Sequence, residues 1–141
     1  MSDIYTEKYK TLINKILKEN DLSDESFVPS DNPYRYAREK NLGNTKEDMI
    51  GCSFIEEQSG IKRIVLKREI TDQEQRYALE RIAYPLDRGM KEFLRTPERF
   101  IEHLVRHEIE HCVFGRPQED ELGADEAALQ KMGFVPKDIG L

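Results

Sequence analysis

TPERFIEHLVRHEIEHCVFG, residues 96–115, is the stretch on which the reading of this chain turns. Thr96 is a good N-cap, Pro97 suits the first helical position, and Gly115 followed by Pro117 is a strong stop, so the spacing predicts one helix between them. All three histidines of the chain lie here at intervals of four: His103, His107 and His111. Residues four apart on a helix sit one turn above each other on the same face. The last two frame His107-Glu108-Ile109-Glu110-His111, an H-E-x-x-H arrangement. Two imidazoles so placed can hold one metal ion, and Glu108 points toward the remaining coordination position, where a carboxylate can take a proton from water.

Ile101, Leu104, Val105, Ile109 and Cys112 cover one side of this helix, and Glu102, Arg106 and Glu110 the other. At about 100° per residue the histidine stripe follows the border and drifts about 40° per step toward the apolar side. His111 is thus expected deepest and His103 nearest water. Glu108 falls inside the apolar arc, where a carboxylate is costly unless something compensates it. A metal ion does so, which argues against a merely solvated charged helix.

Beyond Gly115 comes a carboxylate-rich turn, Arg116-Pro117-Gln118-Glu119-Asp120, and then a second helical pattern over residues 121–132, ended by Gly133. So short a connection is usual between neighbouring antiparallel helices. Ala124 and Ala128 allow close approach, and Glu121 and Asp125 share a face. Catalytic zinc sites commonly use three protein ligands and one open position. Glu121 is read as the third ligand, with Glu119, Asp120 and Glu126 as competitors. Asp125, one turn on, is placed to accept the free ring N–H of a ligand histidine.

H-E-x-x-H followed by a helix carrying E-x-x-A-D resembles the gluzincin metallopeptidases, strictly over residues 107–125 and loosely over 49–133. The small size is similar to that of the minimal ImmA/IrrE-like peptidases of phages and mobile elements, and of related small cores without membrane helices. The resemblance implies an α+β, zincin-like domain with a small antiparallel sheet or hairpin packed on several helices. It also implies Zn²⁺ held by His107, His111 and Glu121, Glu108 as general base, Asp125 as support, and a protein or peptide substrate. An oxyanion-stabilising residue is expected across the cleft, and Tyr34, Tyr36, Tyr77, Tyr84 and His103 are the candidates. The extended H-E-x-x-H-x-x-G-x-x-H pattern is excluded, because Phe114 and Pro117 stand where Gly and His are needed.

The rest of the chain supplies the frame. Its 141 residues suggest one domain, with residues 1–48 as an N-terminal helix and loop extension and 49–133 as the core. Ser2-Asp3 can cap a first helix reaching Asn20, with Ile4, Tyr9, Leu12, Ile13, Ile16 and Leu17 as its apolar stripe. Residues 21–48 are polar and broken by Pro29, Pro33 and Gly43, hence loop, with a short helix around 34–40. Residues 49–55 and 61–70 make a hairpin about Glu57-Gln58-Ser59-Gly60. Thr71-Asp72-Gln73-Glu74 is a capping box that starts another helix, which Pro85 interrupts before a bend at Asp87-Arg88-Gly89.

The segment 61–68 is the candidate sheet edge for pairing with an extended peptide, although its four basic residues also suit edge protection. A net charge of −6 disfavours binding to nucleic acid or anionic membrane. Cys52 and Cys112 are expected to be reduced thiols, and no signal-like segment opens the sequence. Both point to the cytoplasm. A metal-binding regulatory or protein-interaction domain that does not hydrolyse peptides is the alternative, disfavoured because a purely structural site has no use for Glu108.

Overall fold

The computed structural model describes residues 3–42, 46–83 and 89–136. Among them the chain is mixed α+β, with helices α1 (Lys10–Glu19), α2 (Pro33–Glu39), α3 (Asp72–Ala83), α4 (Met90–Phe93), α5 (Pro97–Cys112) and α6 (Glu121–Lys131). The strands are β1 (Ile4–Tyr5), β2 (Phe27–Ser30), β3 (Gly51–Ile55), β4 (Lys62–Lys67) and β5 (Glu69–Ile70). None of the helices is long and apolar enough to cross a membrane.

Local signals placed most elements. The Thr96 hydroxyl accepts from the Arg99 N–H at the start of α5, and Gly115, at φ +72°, ends the segment in the left-handed region. The capping box forms reciprocally, Thr71 N–H donating to Glu74 Oε1 and Glu74 N–H to Thr71 Oγ1, at 3.0 and 3.1 Å. The β3–β4 hairpin has the register Gly51↔Leu66 through Ile55↔Lys62. The interruption at Pro85 and most of the following bend fall outside the described residues, as does Ser2 of the first expected cap.

Three expectations are corrected. The N-terminal helix does not start at Asp3, because Ile4 pairs with Ile70 in a two-stranded ribbon. Asp3 instead accepts the Asp72 N–H at the start of α3. Residues 27–30, expected as loop, form β2 and pair in parallel with β4. Pro29 is tolerated there because β2 is an edge strand. The sheet order is therefore β2-β4-β3, so the basic segment 61–68 is the central strand and not an edge.

One face of the sheet, through Ile64 and Leu66, joins Ile13, Ile16, Leu17, Phe100, Ile101, Val105 and Ile109 in the main core. On the other face Cys52 and Val65 pack with Ala37 of α2. Helix α5 is thus held between the sheet and α1, with its histidine face turned to α6.

Candidate metal centre

Helix α6 brings its first turn against the histidine face of α5. Its start is set by Asp120, whose carboxylate accepts the Gly123 N–H at 3.0 Å and an Arg116 N–H at 3.1 Å. A Cβ at Gly123 would press on the Asp120 carboxylate and lie 2.6 Å from the Arg116 guanidinium, so any side chain there would have to displace this ion pair. Glycine is costly inside a helix, and this close approach explains its presence. Arg116 also pairs with the buried Glu110, which Lys131 reaches from the far end of α6. Glu110, expected on the solvated side, therefore ties the loop and α6 to α5. Ala124 and Ala128 are fully buried at this junction.

His107 Nε2 and His111 Nε2 converge to 3.3 Å. Glu121 Oε1 lies 2.9 Å from His111 Nε2, and its Oε2 lies 3.4 Å from His107 Nε2. Donors about 2.0–2.2 Å from a tetrahedral zinc are separated by roughly 3.3 Å, so the triangle has the right size for one ion. These three side chains form a group that could hold a metal ion. The outer ring nitrogens are also engaged. His107 Nδ1 is 2.7 Å from Asp125 Oδ1, and His111 Nδ1 is 3.1 Å from the Arg116 carbonyl oxygen. With each Nδ1–H donating outward, both Nε2 lone pairs face the centre of the triangle.

Glu108 Oε2 is 4.0 Å from His107 Nε2. Burial pushes the Glu108 carboxyl up, and nearby His107 offsets part of that. Ser53 Oγ donates to the Glu108 backbone carbonyl at 3.2 Å and fixes α5 to β3. Gly51 lies beside the carboxylate: a Cβ there would sit 3.7 Å from Glu108 Oε2 and 3.1 Å from the Val65 carbonyl. Neither Gly51 nor Ser53 was singled out from the sequence. The signal for Gly51 was an isolated glycine at a strand start, a mark of close backbone approach.

Of the competitors for third ligand, Asp120 is the α6 N-cap, and neither Glu119 nor Glu126 brings a carboxylate oxygen into the group formed by His107 and His111. His103 was expected nearest water, yet it is 1% exposed, against 8% for His107 and 6% for His111. Helix α6 covers that end of the stripe, and Asp125 lies against His103. Among the described residues, the tyrosine candidates do not join the cluster. Tyr36 packs on Phe54, Tyr34 accepts from Arg38, and Arg81 stacks over Tyr77, which borders a separate cavity of about 280 Å³ with Ile50 and Ala78. Tyr84 lies outside the described residues.

The histidines and carboxylates of the cluster hold one another in their charged forms. Burial pulls the His107 imidazolium down, but hydrogen bonds to Asp125 and Glu121 outweigh it and lift the group to about 11. Burial likewise opposes ionisation of Glu121, yet His107 and His111 bring it down to about 2, and the two imidazoles His103 and His107 hold Asp125 well below the usual carboxylate range. In the metal-free chain the carboxylates therefore contribute stability that is present above about pH 4.5 and lost as pH falls toward 2. The His107 contribution runs oppositely: full below about 6.5 and lost as pH rises toward 11. Asp125 carries most of the acid arm, since solvent screens the half-exposed Glu121. Denaturant unfolding of chelator-treated protein at pH 6 and pH 3 should show a smaller acid loss in Asp125→Asn than in wild type. Equal losses would refute the pairing.

The chain shows no match to known protein families, to curated proteins or to solved structures.

Proposed function

We propose that the protein is a zinc-dependent peptidase of gluzincin type, acting on a protein or peptide. The observation that carries this reading is the donor triangle of His107, His111 and Glu121, sized for a tetrahedral ion, with the buried Glu108 carboxylate at its edge. His107, His111 and Glu121 would hold Zn²⁺, which would supply Lewis-acid chemistry there by polarising a scissile carbonyl and making water more acidic. Glu108 takes the proton of the attacking water and returns it to the leaving amine. Its raised affinity for a proton suits both halves of that exchange. Asp125 and the Arg116 carbonyl hold the two imidazoles in the tautomer that turns Nε2 inward.

An extended peptide has a place to pair beside the site. Lys67 N–H donates to the Ile50 carbonyl and Glu56 N–H to the Ile61 carbonyl, so even-numbered residues of this hairpin strand bond to β4. The backbone N–H and C=O groups of Gly51, Ser53 and Ile55 then point away from β4, along an edge that no described strand occupies. This edge, in place of residues 61–68, is the substrate track of the proposal. The buried, unpaired thiols Cys52 and Cys112 accord with a reducing, cytoplasmic setting.

A zinc titration across four variants tests the ligand set. Glu121→Ala should weaken binding most, as loss of a direct donor. Asp125→Ala should weaken it by roughly 10–100-fold, the scale of losing a partner behind a ligand. Glu119→Ala and Glu126→Ala should stay near wild type. If Glu119 or Glu126 proves the costliest loss and Glu121 is silent, the third ligand is wrong.

A further inference from the structure

His103 takes no part in the donor triangle, yet it is the most buried of the three histidines. Its Nε2 lies 2.9 Å from Asp125 Oδ1, the same oxygen that stands 2.7 Å from His107 Nδ1. Its Nδ1 is buried without a hydrogen-bond partner. These contacts fix a proton on one nitrogen. A lone pair on Nε2 would face a carboxylate oxygen, so Nε2 carries a proton, and Nδ1 is left with its hydrogen-bonding capacity unmet. An apolar side chain would avoid that loss and pack against the core, so packing alone does not account for an imidazole here.

We propose that His103 is a positioning residue of the metal centre, acting through Asp125. It donates to Oδ1 and holds that oxygen where it accepts the His107 Nδ1–H, so the chain His103–Asp125–His107 sets the direction of the His107 Nε2 lone pair. Without His103 the Asp125 carboxylate can turn about its side-chain bonds and leave His107 free to rotate. The role deepens the metal-centre reading and rests on it.

His103, His107 and Asp125 also bring three donor atoms together, as a second metal site would. Hydrogen bonding accounts for them better. The 2.7 and 2.9 Å separations are those of N–H···O⁻ contacts. A second ion would also require His107 to give up both ring nitrogens.

The test uses the full chain, with Zn²⁺ affinity measured by chelator competition and the Co²⁺ absorption spectrum as a reporter of ligand geometry. The proteins are wild type, His107→Ala, His103→Leu, His103→Gln, Asp125→Asn and the double variant His103→Leu/Asp125→Asn, each with a metal-free melting curve. His103→Leu should bind Zn²⁺ about 10-fold more weakly, at the low end for a group behind a ligand, and shift the Co²⁺ bands. His103→Gln, whose amide N–H reaches close to the Nε2 position, should restore most of the affinity and the spectrum. In the Asp125→Asn background His103→Leu should add little, because the partner it acts through is gone. Should His103→Leu fail to fold, His103→Asn, whose amide stops short of Nε2, gives the same contrast with Gln.

Wild-type affinity and spectrum in His103→Leu overturn the proposal, as does equal weakening in Leu and Gln. Two ions per chain overturn it in favour of a second site. Those results, obtained while wild type binds metal and His107→Ala does not, leave the metal centre standing. A wild-type chain that binds no metal overturns both.

Discussion

His107→Ala and His111→Ala should each take the chain from about one zinc per molecule to nearly none, the stoichiometry following from three protein donors around one ion. Each imidazole supplies one corner of a triangle whose edges are 2.9–3.4 Å. Loss of either leaves one nitrogen and a half-exposed carboxylate, too few donors to replace the hydration of the ion. Each change also removes a supporting hydrogen bond: Asp125 loses the His107 ring N–H, and the Arg116 carbonyl loses that of His111. The fall should therefore exceed the roughly 10–100-fold typical of outer supports. Metal analysis of the purified variants decides the matter, and full occupancy retained in both would remove His107 and His111 from the site.

Glu108→Gln should leave zinc content close to wild type and reduce peptide hydrolysis by roughly 10²–10⁴-fold, the usual worth of a positioned base. The amide keeps the volume of the side chain and removes only the ability to take a proton. Burial disfavours the charged carboxylate, so the neutral amide should melt no lower than wild type. Activity and stability are thus expected to part, as at sites where a group is kept for chemistry at some cost to the fold. Cleavage of a protein substrate by the variant at the wild-type rate would refute Glu108 as the base.

Much of the site was legible in residue order, because its geometry is that of a single helix. A spacing of four puts His107 and His111 on one face wherever the helix is placed, and Thr96, Pro97 and Gly115 mark its ends. The Thr71–Glu74 box and the hairpin turn at Gly60 are equally local, each set by bonds within a few residues. Glu121 and Asp125 were legible in part. Their shared face follows from helical spacing, but only the packing of α6, permitted by Gly123, Ala124 and Ala128, brings them to the histidines.

The remaining features depend on pairings between distant segments. Whether residues 61–68 lie at an edge or the centre is decided by residues 27–30, more than thirty positions away, and Pro29 hides that strand because proline is tolerated only at an edge. Asp3 looks like a helix cap until Ile4 finds Ile70 and turns it toward α3. The helical wheel places His103 toward water because a wheel knows only its own helix. Helix α6 then covers that face, and burial becomes a property of two helices together. Periodicity, capping and turn chemistry are local energies and stand in the sequence by themselves. Strand order, edge exposure and the depth of each histidine come from which distant surfaces exclude water from one another, and the tertiary structure alone decided them.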